Sequence, residues 1–271
     1  MLFVVDVKKK KNNNNESNNT AIAVSHVSIC PDKESLWLEG IRVHPDYRRS
    51  KVATSLIKRM LQYGKSQGAK EASAIVAVDN VISQHMFKKN GFEVISRWIY
   101  YNSNYKMSQD RGEINARIAL PRDIDKVWNY LKKSKIYKFS GKRYVNAWRW
   151  YRFNDKTLVD FVKEQRLIIT GDSVINGIAV VNKNNYTNIN MRIDALQIVY
   201  LDSTLKSSLL DLVFFVRNSY LAAINPTYYN PTFRPSNRLE VIACKTEQIS
   251  SVMKNFHTKK SEQFLLYCRK I

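Results

Sequence analysis

Three cations crowd into the stretch Arg48-Arg49-Ser50-Lys51, between an apolar run that ends at Val43 and a helical pattern that opens at Val52-Ala53-Thr54. The N–H groups of a helix's first turn have no intrahelical acceptors, and the helix dipole adds roughly half a positive charge at that end. A strand that feeds a basic loop, and a loop that feeds a helix, thus make an anion cradle. A phosphorylated ligand is its natural guest, held by backbone N–H groups and by full cationic charges.

The flanking elements must position that cradle. Leu36 and Leu38 share one face of a period-two strand pattern, whereas Ile41 and Val43 are out of phase with them by one residue, and the slip falls at Gly40. An extra residue at a glycine reads as a β-bulge, which bends the strand and leaves backbone groups unpaired. After the loop, Ala53, Leu56, Ile57, Met60 and Leu61 follow helical spacing, with Lys58, Arg59 and Lys65 on another face. Glu71 to Val78 reads as a buried strand, and Asn80 stands at its end as an N-cap for a short helix. Gly91, after Lys88 and Lys89, is an ordinary stop for that helix.

At this point the residues resemble a family. Val43-His44-Pro45-Asp46-Tyr47-Arg48-Arg49-Ser50-Lys51-Val52-Ala53 is similar to the acetyl-CoA pyrophosphate motif of the GNAT N-acetyltransferase superfamily, (Q/R)-x-x-G-x-(G/A), with Arg48 at its first position and Ala53 at its last. Asn80 to Phe92 resembles the second GNAT signature, an asparagine followed at fixed spacing by an aromatic residue and Gly-Phe. The two motifs stand in the right order and at the right separation, and the resemblance covers residues 1 to 103. It departs from the pattern twice. Lys51 occupies the place of the central glycine, which normally lets the backbone approach phosphate and take positive φ, so a looser cradle with a compensating lysine charge is expected. Phe87 stands where the family often has a tyrosine that protonates the departing CoA thiolate, and it has no hydroxyl.

The implied fold is α+β: a GNAT fold, with a mixed and mostly antiparallel sheet flanked by helices, followed by a second GNAT-like α+β domain. Residues 1–103 are assigned to the GNAT acetyltransferase domain, 104–114 to a linker and 115–271 to a degenerate GNAT-like domain. Leu2 to Val7 and Ala21 to Ile29 read as an antiparallel pair, and Lys8 to Asn19 between them as a polar insertion too repetitive to pack. GNAT folds usually begin with a strand and two helices that form much of the acceptor wall, and here the pattern begins at the second strand. Either the start lies late or another part of the molecule supplies that wall. In the second half the pattern gives strands at Asn115–Ala119, Leu167–Thr170, Gly177–Val181, Met191–Tyr200, Leu239–Ala243 and Gln263–Cys268. Helices are expected at Arg122–Lys132, Leu205–Ala222 and Ile249–Phe256, which repeats the GNAT order. Leu201-Asp202-Ser203-Thr204 replaces an Arg-rich phosphate loop there, so that copy is expected to have lost its cofactor site.

Composition narrows the partners. The 271 residues allow one large or two ordinary domains, and the net charge of +21 attracts anions, including CoA, nucleic acid and acidic protein surfaces. The same charge speaks against a free polycation such as a polyamine as substrate. From Lys132 to Lys156 aromatic and cationic residues alternate, a composition that either stacks on bases or packs its rings inward; packing is the favoured reading. No apolar run approaches the roughly 18 to 20 residues of a membrane span. Cys30, Cys244 and Cys268 are scattered and lack metal-ligand spacing, which points to free thiols in a reducing cytoplasm and to no metal.

The resemblance implies acetyl-CoA as co-substrate and direct attack of a primary amine on its thioester. A bulged strand suits this chemistry, because a freed N–H near Ile41 can hydrogen-bond the thioester oxygen as it gains charge. Ile41, Arg42 and Val43 would contact acetyl-CoA from the strand, with Val43 pairing with the pantetheine amide. Arg48, Arg49, Ser50, Lys51, Val52, Ala53 and Thr54 would do so from the cradle, and Asn80 and Phe87 from the second signature. Glu39 matches the glutamate of a Leu-Glu-x-x-x-Val pattern and is the candidate catalytic base; its other reading is a strand carboxylate paired with a nearby cation. His44 and His85 are weaker candidates, and Tyr100 or Tyr101 could serve as acid. The acceptor stays open among a small amine, an amino acid and a protein N-terminus. The alternative function is a non-catalytic CoA-sensing or nucleic-acid-binding module on the same scaffold.

Overall fold

A computed structural model describes residues 1–8, 19–104, 113–182, 196–220, 223, 238–256 and 258–271. The chain divides into two compact units, one of Met1–Ile95 with Leu265–Ile271 and one of Ser96–Phe264.

The first unit is built on strands β1 (Leu2–Lys8), β2 (Asn19–Ile29), β3 (Ser35–Val43) and β4 (Glu71–Ala77), with helices α1 (Val52–Ser66) and α2 (Val81–Lys89). β1 pairs antiparallel with β2, and β2 antiparallel with β3, while β3 and β4 are parallel. The spacing of α1 is realised in three dimensions: Leu56, Ile57, Met60 and Leu61 are buried against Leu36, Leu38 and Val27, and Lys58, Arg59 and Lys65 are exposed. The bulge expected at Gly40 is present. Val24 faces Arg42 and His26 faces Glu39, so two residues of β3, Gly40 and Ile41, stand opposite one of β2. Gly40 takes φ +65°, a backbone state that glycine adopts without the steric cost of a Cβ.

The second unit comprises the rest of β5 (Glu93–Asn104) and strands β6 (Ala116–Ile118), β7 (Arg143–Asn146), β8 (Arg149–Arg152), β9 (Leu167–Thr170), β10 (Gly177–Val181), β11 (Leu196–Ser203) and β12 (Arg238–Cys244). Its helices are α3 (Ile124–Lys133), α4 (Lys135–Phe139), α5 (Asp155–Lys163), α6 (Lys206–Asn218) and α7 (Glu247–Lys254). The strand order is β5-β12-β11-β10-β9-β6, antiparallel except for the parallel pair β11–β12, and β7 and β8 form a separate hairpin. The apolar face of α6 packs on this sheet through Leu209, Leu212, Val213 and Val216, all fully buried. Strand, helices, strands, helix, strand and helix therefore recur in the order read from the sequence.

Three expectations change. Asn104, assigned to the start of a linker, is the last residue of β5, because it sits in register with Arg238 of β12. The strand expected at Met191–Tyr200 is β11, which runs on to Ser203; residues 191–195, like the proposed insertion at 9–18 and most of the linker at 105–112, lie outside the described residues. The final strand, β13 (Thr258–Lys270), is longer than the expected Gln263–Cys268, and its end, Leu265–Ile271, belongs to the first unit. There Leu265 and Tyr267 join the core with Phe87 and Phe92, and the Ile271 N–H donates to the Lys70 carbonyl at 3.0 Å.

In the stretch from Lys132 to Lys156, Tyr137, Trp150 and Phe153 are buried, and Phe153 makes edge contacts with Tyr137, Tyr144, Phe161 and Tyr200. These rings contribute core area and edge-to-face contacts, whereas Phe139 and Trp148 of the same stretch are exposed, so the packing reading describes part of it.

Candidate active site

β3 and β4 run together only through Ser35–Glu71, Leu36–Ala72 and Trp37–Ser73, after which their pairing ends. From Leu38 onward a cleft of about 160 Å³ opens between them, lined on one side by Leu38 to Ile41, on the other by Ala74 to Ala77, and at its end by Asn80, Ser83, Met86 and Phe87. The bulge thus lies in the wall of the cleft. Two consequences follow from sheet geometry: β3 presents backbone groups with no strand opposite them, and the bulge turns residue 41 relative to the pleat.

Glu39, Ile41, Asn80 and Phe87, singled out in the sequence, are brought together by this cleft. Glu39 is about one-third exposed and its Oε1 lies 2.7 Å from Nδ1 of His26, its register partner on β2. With the carboxylate accepting, the Nδ1–H donates, and the bond orients the Glu39 side chain. His26 escaped the sequence reading; only the strand register, through the period-two side-chain pattern, could have paired it with Glu39. Asn80 caps α2, its Oδ1 accepting from the Ser83 N–H at 3.0 Å. Phe87 is buried, with its ring 5.1 Å from Phe92 and 5.8 Å from Tyr267, centroid to centroid.

Beyond the cleft, Arg42 and Val43 continue β3, and Pro45–Tyr47 form one turn of 3₁₀ helix before the basic loop. The loop folds back on itself: Arg48 Nε donates to the Val43 carbonyl at 3.3 Å, and the Ser50 hydroxyl donates to the Tyr47 carbonyl. Arg48, Arg49, Ser50 and Lys51 are all exposed. Lys51 precedes α1 and no side chain caps that helix, so the first-turn N–H groups of Val52, Ala53 and Thr54 are left to a ligand or water. Lys51 takes φ +65° and ψ 8°, and Arg49 takes φ +65° as well. Without a glycine, the left-handed turn is made by two cationic residues, at a steric cost of about 1–2 kcal/mol each. A cradle with these features fits a pyrophosphate, since it joins open helix N–H groups to cations on both sides of the turn.

Candidates outside this arrangement separate clearly. His85 is exposed on α2, and His44 lies in the turn with Nδ1 3.7 Å from Asp46, neither of them in the cleft wall. The hydroxyl of Tyr100 donates to Glu240 and that of Tyr101 to Ser250, both at 3.0 Å within the second unit, and neither residue lines the cleft. The acid role stays unfilled at Phe87, an apolar residue. Among the described residues no group of three His, Cys, Asp or Glu side chains comes together as a metal would require, and no helix is long and apolar enough to cross a membrane.

Comparisons with known proteins place this geometry. Residues 12–92 match the family model of the acetyltransferase (GNAT) family. Over 68 residues the chain is 40% identical to an aminoglycoside N(6')-acetyltransferase type 1 of Acinetobacter genomosp. 13, covering 25% of this chain and 47% of that protein. Over 83 residues it is 32% identical to the same type of enzyme from Salmonella typhimurium, covering 31% of this chain and 57% of the relative. The chain thus spans about half the length of the curated relatives it matches. Among solved structures, a GCN5-related N-acetyltransferase from Sphaerobacter thermophilus superposes with a TM-score of 0.59 at 11% identity, over 92% of this chain and 77% of that one. A tandem GNAT protein from the clavulanic acid biosynthesis pathway gives a TM-score of 0.52 at 8% identity, over 94% of this chain and 81% of the other. At such identities the likeness shows the fold, which is the GNAT fold, shared with a neighbour of tandem arrangement.

Proposed function

We propose that this chain, whose residues 12–92 match the acetyltransferase (GNAT) family, transfers an acetyl group from acetyl-CoA to a primary amine. The observation that carries the reading is the bulge at Gly40–Ile41 in the wall of the cleft where β3 leaves β4, beside a carboxylate held by His26. Acetyl-CoA supplies an activated thioester carbonyl when bound. The exposed cations Arg48, Arg49 and Lys51, with the open N–H groups of Val52, Ala53 and Thr54, hold its pyrophosphate. The backbone of Val43 aligns the pantetheine arm, with Arg42 beside it on β3. The Ile41 N–H donates to the carbonyl oxygen as the amine nitrogen adds to the carbonyl carbon, and Glu39 takes the amine proton. When the carbon–sulfur bond breaks, the thiolate leaves as CoA and is protonated by water, since Phe87 has no proton to give.

The curated relatives' names point to an aminoglycoside amine, whereas a net charge of +21 opposes a polycationic acceptor. We therefore hold the acceptor at the class of primary amine, among a small molecule, an amino acid and a protein N-terminus. The test is CoA thiol release from acetyl-CoA with a panel of such amines. Amine-dependent release that Glu39→Gln abolishes, with acetyl-CoA affinity unchanged, supports the reading; acetyl-CoA binding without release for any amine overturns it.

A further inference from the structure

The second unit carries a larger cavity than the first. Its parallel pair, β11 and β12, keeps register only through Leu196–Leu239, Gln197–Glu240 and Ile198–Val241, the same three-residue contact that β3 and β4 make. A cavity of about 740 Å³ lies between the end of β11, the residues just before and at the start of α7, the segment Ser173–Ile175 and the helices α3 and α4. Voids left by imperfect core packing are far smaller, and a volume of several hundred cubic ångströms is that of a small-molecule site.

Its walls are set in place by one buried carboxylate. Asp202, 1% exposed, accepts from the hydroxyls of Tyr130 at 2.8 Å, Ser134 at 2.6 Å and Tyr200 at 2.9 Å. These bonds tie α3 and the α3–α4 junction to β11, so the cavity is preformed. They also occupy three of the carboxylate's four or so lone-pair positions, leaving little to attract an incoming amine.

The rim has the opposite character. Lys133 and Lys135 are exposed there, and Lys126 joins them with its Nζ donating to the Asp172 carbonyl at 2.9 Å. Phe139 and Val174, 63% and 71% exposed, add large apolar side chains to the same rim. Exposed apolar groups beside a concave opening mark a ligand's contact surface more often than a bare solvent face.

We infer that the second unit binds a small anion with an apolar body, a carboxylate, sulfonate or phosphate on an aromatic or aliphatic group. The lysines receive the anionic head, and Phe139 and Val174 cover the body at the mouth. This site lies wholly within Ser96–Phe264 and is independent of the acetyl-CoA cradle. The sequence offers no Arg-rich loop at Leu201–Thr204, and the structure puts the cationic character on α3 and α4 instead.

The experiment is a fluorescence titration of the full chain with anilinonaphthalene sulfonate, an anion with an aromatic body, beside its uncharged relative N-phenylnaphthylamine. The expected result is saturable binding of the sulfonate, about tenfold tighter than the neutral probe at low salt, because several lysines face one head group. The double charge reversal Lys133→Glu and Lys135→Glu is expected to weaken the sulfonate about tenfold or more. Val174→Glu should do the same, and both variants should leave the thermal unfolding midpoint in place because the changes are exposed. Arg48→Ala with Lys51→Ala should leave the affinity unchanged. Equal affinity for the two probes, no effect of the rim reversals, or a loss produced by the Arg48 and Lys51 changes overturns the proposal.

Discussion

His26 and Glu39 face each other across β2 and β3, with the imidazole Nδ1 2.7 Å from the carboxylate Oε1, on the strand turn that precedes the bulge. Both side chains are about one-third exposed, so water reaches the pair. The imidazole thereby holds Glu39 beside the cleft.

Loss of the carboxylate's basicity is the larger effect. Glu39→Gln should lower kcat by about 10² or more, in line with the contribution of a positioned base, with acetyl-CoA affinity unchanged. His26→Ala should cost about tenfold and shift the pH profile of kcat, because it removes orientation and leaves the base. Turnover measured across pH checks both, and an unchanged profile in His26→Ala would confine that residue to packing.

At Gly40 a substitution meets open space, with no atom within 4 Å of an added Cβ, so any penalty comes from the backbone. Gly40→Ala should cost about 1–2 kcal/mol of stability from the positive φ, and should lower kcat more than acetyl-CoA affinity as the bulge flattens. Denaturant unfolding and steady-state kinetics read the two parts separately.

Lys51 offers a comparison of charge with strain. Lys51→Ala and Lys51→Gly both remove the cation and should weaken CoA binding, more at low salt than at high salt. Only glycine relieves the left-handed turn, so Lys51→Gly should be more stable than Lys51→Ala by about 1 kcal/mol in denaturant titrations. Equal stabilities would mean that the loop relaxes around alanine.

In the second unit Arg117 grips the buried Asp123 with both guanidinium ends, at 2.7 and 3.0 Å, and the Leu120 N–H adds a third bond at 2.8 Å. The Arg117 hydrogen bonds hold the Asp123 carboxyl down at about 2, below its ordinary value of 3.8. A lowered carboxylate pKa favours the fold above the unfolded value and loses that contribution as pH falls toward the folded one. Stability should therefore drop by about 2 kcal/mol between pH 4 and pH 2, and Asp123→Asn should flatten that portion of the curve. Unfolding midpoints at a series of acidic pH values test it.

Tyr267 is fully buried, and among the described residues its hydroxyl has no hydrogen-bond partner. Burial also pushes its pKa up, so the group stays neutral. Tyr267→Phe should keep the stack on Phe87 and leave stability unchanged or raise it by about 1 kcal/mol, since an unpaired buried hydroxyl is a cost. A marked loss in thermal unfolding would show that the hydroxyl is satisfied in solution.

What the sequence disclosed followed from local rules. The phase slip between Leu38 and Ile41 located the bulge, because side chains on a strand alternate with period two and one extra residue inverts that order. The spacing from Ala53 to Leu61 gave α1 and its buried face, and Asn80 gave the cap of α2. His26 was hidden because it meets Glu39 only through strand register, thirteen residues away in the chain. Lys51 misled because a lysine rarely adopts positive φ, so the residue type argued against the turn that the loop makes. Asn104 misled because its partner strand begins only at Arg238, far along the chain. The cavity under Asp202 was invisible for a third reason: its lining comes from α3, α4, β11 and α7, which no spacing rule connects.

The return of Leu265–Ile271 to the first unit has a consequence for how the molecule is made. Residues 1–95 emerge from the ribosome early, yet the segment that supplies Leu265 and Tyr267 to their core is translated only after the whole second unit. Until then Phe87 lacks the Tyr267 ring stacked against it, and the nascent amino-terminal region waits with part of its apolar surface uncovered. The second unit can collapse while this happens, so the half that carries the candidate cleft is the half completed last, and a chain cut short near its end is expected to lose the proposed acetyl transfer before it loses the second unit's fold.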